Sequence, residues 1–135
     1  MIEPIAIQVK LKTDNFQQAL EAVTNALQKQ GFGVVAELDL KAKFQDKLSQ
    51  DFRPYTILGA CNPPLAYRAL QSNPQSGLLL PCNVVVEQDP DGCLVSAANP
   101  RVLMGLEQFA GNEVLLQVAE EAYDRLGAAL RSLAN

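Results

Sequence analysis

The chain has 135 residues, 48% hydrophobic and 19% charged, which suits one folded domain with a real core and excludes a disordered segment. Its 11 basic and 15 acidic side chains leave a net charge of −4 with no basic cluster, which argues against a nucleic-acid partner. Histidine is absent, so triads that need an imidazole and histidine-ligated metals are excluded.

The start, Met1-Ile2-Glu3-Pro4, lacks the basic residues and apolar core of a secretory leader. Ile5, Ile7, Val9 and Leu11 alternate with polar or small residues and predict a half-buried strand. Asp14 or Asn15 can then cap a helix whose apolar stripe is Phe16, Ala19, Leu20, Val23, Ala26 and Leu27, with Gly31 as its stop. Phe32 to Leu40 alternates again and predicts the second strand. The polar stretch from Lys41 to Asp51 predicts a short helical turn and loop ending near Pro54.

Tyr55 to Ala60 predicts a third strand, and Pro63 to Leu70 a short helix, since proline is tolerated in a first turn. Leu78 to Val86 predicts a fourth strand, and the turn Asp89-Pro90-Asp91-Gly92 leads to a fifth at Cys93 to Ala97. Asn99 to Gly111 has no decisive pattern, with a short helix through Leu103, Leu106 and Phe109 as one reading. Asn112 can cap a last helix bearing Leu115, Val118, Ala122, Leu126, Ala129 and Leu133 on one side. The expected fold is α+β: one mainly antiparallel five-stranded sheet with two long helices on one face and a short helix after strand three.

The third and fourth strands read as apolar on both faces, so helices on one side leave the other to a partner. A homodimer is the simplest expectation. The longest apolar run, Gly77 to Val86, is about half of the roughly 20 residues a membrane span needs, so no membrane partner is expected. Three cysteines without framework spacing suit reduced thiols, and a soluble cytoplasmic protein is expected.

Two Cys-Asn pairs concentrate the chemistry: Cys61-Asn62 and Cys82-Asn83. Cys61 ends a strand and precedes a helix that Asn62 can cap, a place where the helix dipole lowers a thiol pKa. Pro63 and Pro64 remove two first-turn N–H donors and weaken that effect. The plainer reading is a capping Asn62 beside a packed thiol. Cys82 shares its strand face with valines and reads most simply as a core thiol of raised pKa, while Asn83 points to the opposite face. Cys93, after a turn, reads as structural.

No residue is assigned a catalytic role. The candidate ligand-binding residues are Cys61, Asn62, Cys82, Asn83, Arg53, Tyr67 and Arg68, and the candidate metal ligands are Cys61 and Cys82, whose thiolates suit zinc or cuprous copper. Arg53, Tyr67 and Arg68 flank the Cys61 segment, and arginine near a thiol can bind an anion. Their plainer roles are surface ion pairs and packing.

Asp51-Phe52-Arg53-Pro54-Tyr55-Thr56-Ile57-Leu58-Gly59-Ala60-Cys61-Asn62-Pro63-Pro64-Leu65-Ala66 resembles the bacterial domain-of-unknown-function family 302. The likeness continues through Gly77 to Val86 and Val95-Ser96-Ala97, and it extends to the first helix and Gly31-Phe32-Gly33-Val34. The resemblance implies a β-α-β(4)-α fold similar to half of the TATA-binding-protein saddle, a dimer, and family motifs at both Cys-Asn pairs. It implies a histidine in many relatives where this chain has Tyr67, so chemistry needing that imidazole is in doubt here. It supplies no cofactor and no activity. Three functions stay open: a small-molecule or metal-ion binding domain, a structural or partner-interaction module without catalysis, and a thiol-based redox protein using Cys61.

Overall fold

The computed structural model describes residues 2–134. The strands are β1 (Ala6–Leu11), β2 (Gly33–Asp39), β3 (Tyr55–Cys61), β4 (Cys82–Asp89) and β5 (Gly92–Ala98). The helices are α1 (Phe16–Lys29), α2 (Leu40–Leu48), α3 (Pro63–Ser72), α4 (Pro100–Leu103) and α5 (Glu113–Leu133), with 3-10 segments at Pro74–Leu79 and Glu107–Phe109. One sheet has the order β1-β5-β4-β3-β2, antiparallel throughout, so β1 and β2 form its two edges and α1 links them.

Capping decides where the helices begin. Asn15, Asn62 and Asn112 each accept a hydrogen bond from the backbone N–H three residues on, at 3.0, 3.2 and 3.0 Å. Asp39 does the same for α2 at 3.0 Å. This makes Leu40–Leu48 a nine-residue helix where a short turn and loop were expected. The end of α1 is a Schellman motif: Phe32 N–H donates to Leu27 O at 2.9 Å and Gly31 N–H to Gln28 O at 3.0 Å. Gly31, at φ +85°, takes the left-handed position that the motif needs.

The core lies between the sheet and one layer of helices. On the helix side Leu58 pairs with Val84, Val84 with Ala97, and Ala97 with Ile7. Val86 stands between Thr56 and Val95 in the next row. Against these rows α1 buries Leu20, Val23 and Leu27, while α5 buries Leu115, Val118, Leu126 and Leu130. Each such side chain contributes about 1.5–3 kcal/mol by leaving water, so this layer dominates stability. No helix among the described residues is long and apolar enough to cross a membrane.

The fourth strand departs from expectation. Leu78 and Leu79 belong to the 3-10 segment Pro74–Leu79, and pairing starts only at Cys82. Pro81 explains part of this, because it has no N–H to give a ladder. Leu78 is 83% exposed and off the sheet, so the open face is less apolar than the pattern suggested. Its central row is Leu38, Ile57, Val85, Ser96 and Gln8, where Gln8 Nε2 donates to Ser96 Oγ at 2.9 Å. In the undecided segment, Asn99 caps α4 and a second 3-10 turn covers Glu107–Phe109.

Candidate functional site

Register brings the two Cys-Asn motifs together at one end of the sheet. Cys82, the first residue of β4, pairs with Ala60, and Cys61 follows as the last residue of β3. Both residues line one cavity, although alternation along β3 puts Cys61 on the face of Gly59 and Cys82 on the face of Ala60. The sheet supplies Ala60, Cys61 and Cys82, α3 and its cap supply Asn62, Leu65 and Ala66, and α5 supplies Val118 and Ala122. Phe32, Leu80 and Met104 close the remaining walls.

Local structure fixes each wall. The Schellman turn delivers Phe32, which is almost fully buried. Asn62 is 7% exposed, and its Oδ1 accepts from Leu65 N–H at the start of α3. Its Nδ2 lies 3.0 Å from where a Cβ would stand on Gly31, so the amide rests against the end of α1. Met104 follows α4 and donates its N–H to Pro100 O at 2.9 Å. Beneath that turn, buried Asn99 accepts from Arg101 N–H at 2.9 Å and donates to Pro4 O at 2.9 Å.

The cavity is small, about 20 Å³, and its walls are mostly apolar. That holds a water or a small ion and no organic ligand. Neither cysteine is in a disulfide. Burial pushes Cys82 up to about 11, and the neighbouring Cys61 charge adds to the rise. Cys82 is therefore a poor nucleophile near neutral pH. No group of three or more His, Cys, Asp or Glu side chains suited to a metal occurs among the described residues.

The other candidate residues lie elsewhere. Asn83 pairs with Gly59 on the open face and is exposed. Arg53 precedes β3 at its far end, roughly 20 Å of strand from Cys61. There it pairs with Glu87 at 2.7 Å and stands over the Phe52 ring at 4.7 Å. Tyr67 is exposed, and its hydroxyl accepts from Gln71 Nε2 at 3.1 Å. Arg68 reaches Glu121 of α5 at 3.5 Å, tying α3 to α5. Cys93 is buried in the core, with its thiol 3.6 Å from Thr13 O.

Phe32 and Met104 were not among the sequence candidates. The Gly31 helix stop signals the turn that places Phe32, whereas nothing in the pattern from Asn99 to Gly111 directs Met104 here. Together these features define a two-layer α+β protein with a small apolar cavity, bordered by Cys61 and Cys82, where the strand ends meet the helices.

The chain belongs to the family described as domain of unknown function DUF302, whose model matches residues 7–133. It is similar to an uncharacterised conserved DUF302 protein from Bacillus stearothermophilus known from a crystal structure. The two are 30% identical with a TM-score of 0.85, over 96% of this chain and 98% of that one. Among curated proteins none matches.

Proposed function

We propose that this protein binds a metal ion through the thiolates of Cys61 and Cys82. The observation that carries the reading is two cysteines from adjacent strands lining one cavity of about 20 Å³. A space of that size favours an ion over an organic molecule, and sulfur ligands favour a soft or borderline metal. Free thiols are kept available by the reducing conditions of a cytoplasm. Reduced protein loaded anaerobically with zinc or cuprous ion should keep one ion per chain in native mass spectrometry. Cys61→Ser and Cys82→Ser should each lose it while remaining folded. Folded wild-type protein that retains neither ion would overturn the reading and leave the interaction module as the better account.

The same reading makes the protein a homodimer through the open sheet face. What supports this is the unbroken cross-strand row Leu38, Ile57 and Val85, bordered by the polar pair Ser96 and Gln8. Sedimentation at micromolar concentration should give twice the monomer mass, and Ile57→Lys should halve it. A wild-type monomer under those conditions removes the dimer and leaves the metal site standing.

A further inference from the structure

We propose that α2 forms a wall of the surface that pairs with a second copy of this chain, and that the second copy covers Leu48. The inference rests on the homodimer reading above and is independent of the metal site. None of the nine residues of α2 is buried, so the helix adds nothing to the core. Its apolar residues Leu40, Phe44 and Leu48 recur every fourth position and share one side. Leu40 and Phe44 are half-buried, whereas Leu48 is 61% exposed, so the stripe runs beyond the cover its own chain gives. The helix is nonetheless fixed in place. Asp39 caps its start, Gln50 N–H donates to Phe44 O at 3.2 Å, and Lys41 Nζ donates to Phe52 O at 2.8 Å.

An apolar path joins α2 to the open sheet face. Leu58 is on the helix side, so alternation puts Tyr55 and Ile57 on the open face. The Phe52 ring lies 6.0 Å from Tyr55, and Phe44 meets Phe52 edge to face at 5.3 Å. Arg53 stands over both the Phe52 and Tyr55 rings and pairs with Glu87, so the charges nearest this path are already matched. The other side of the face is polar, with Gln8 bonded to Ser96 and Lys10 paired with Asp89 at 2.6 Å. The apolar surface therefore extends towards α2 and stops at β5 and β1.

Size and shape point to a second copy as the occupant. The apolar part of the face spans β2, β3 and β4, an outline of roughly 14 by 20 Å, or about 300 Å². A stable pair buries about 800 Å² on each partner, so the sheet row needs more surface. Sheets packed face to face lie about 10 Å apart, and a helix is about 10–12 Å across. A helix beside the open face fills that gap, and two-fold symmetry uses each α2 in the same way. Lys41 pairs with Asp51 as Arg53 does with Glu87, so two copies can meet here without opposing unpaired charges from these groups.

The test is sedimentation equilibrium over a dilution series, with amide hydrogen exchange on the same samples. Leu48→Glu should weaken dimerisation at least tenfold. Leu78→Glu is the control, because Leu78 is exposed and off the sheet, and it should dimerise as wild type does. The α2 amides should exchange more slowly in the wild-type dimer than in the Ile57→Lys monomer. Unchanged dimerisation of Leu48→Glu, or equal weakening by Leu78→Glu, would overturn the role of α2 and leave the sheet-face dimer standing. Equal α2 exchange in dimer and monomer would do the same without relying on any Leu48 variant. A monomeric wild type would remove both the dimer and this inference.

Discussion

Pro81 rests on Gly59: a Cβ added to Gly59 would stand 2.9 Å from Pro81 Cγ and 3.3 Å from the Ala36 Cβ. Gly59 lies in the middle of β3 and pairs with Asn83, so the absent side chain is what lets Pro81 lie across the strand directly before Cys82. A rigid ring cannot move aside cheaply. Gly59→Ala should therefore destabilise the protein by about 1–3 kcal/mol, the usual cost of overpacking. It should also displace Cys82 and loosen metal binding. Gly33→Ala is the matched control, because no atom lies within 4 Å of its Cβ position. Denaturant unfolding of both variants measures the contrast, and equal destabilisation would refute it.

Asn62 links three elements: it follows β3, caps α3 and touches the end of α1. Asn62→Ala removes the cap, worth about 1 kcal/mol, and leaves the Leu65 N–H unpaired in a buried place. A total loss of about 2 kcal/mol is expected. Asn62→Asp keeps the accepting oxygen and should recover most of it. If Asp and Ala at this position cost the same in thermal unfolding, the cap is not what Asn62 contributes.

Asn99 does comparable work on the far side of the cavity. It is 2% exposed, and replacing it by alanine strands Pro4 O and Arg101 N–H at once. Asn99→Ala should cost about 2 kcal/mol. Proteolysis should then cut first between Pro100 and Gly111, because the turn holding Met104 has lost its anchor. Unchanged cleavage kinetics would show that the anchor lies elsewhere.

Much of this arrangement was legible beforehand. Period-two alternation located β1 and β2, helical spacing located α1 and α5, and the asparagine and proline signals placed the start of α3. Cys82 and Asn83 were expected on opposite faces, and the register puts them there. Leu78 to Leu80 misled because apolar character alone does not separate a strand from a 3-10 turn; Pro74, Gly77 and Pro81 were the breakers to weigh. The meeting of Cys61 with Cys82 depends on β3–β4 pairing twenty or so residues apart in sequence, and local pattern does not encode register. Met104 depends on packing of α4 against the rest, which is later still in the chain of causes.

The raised Cys82 pKa makes a prediction of definite sign. Below pH 9.0, the ordinary thiol value, folded and unfolded chains both keep the proton and Cys82 adds no pH dependence. Between 9.0 and about 11 the unfolded thiol ionises while the buried one does not, so the unfolded state holds fewer protons and stability falls as pH rises. The loss should reach roughly 2–3 kcal/mol by the upper end of that window. Other groups titrate there too, so the informative quantity is the stability difference between wild type and Cys82→Ala. That difference should be constant from pH 6 to about 8.5 and then shift against wild type. Alkylation of Cys82 should stay slow up to the same pH, since only the thiolate reacts. A constant stability difference through pH 10.5, or rapid alkylation at pH 8, would mean that the thiol at the start of β4 is solvated rather than held in the cavity wall.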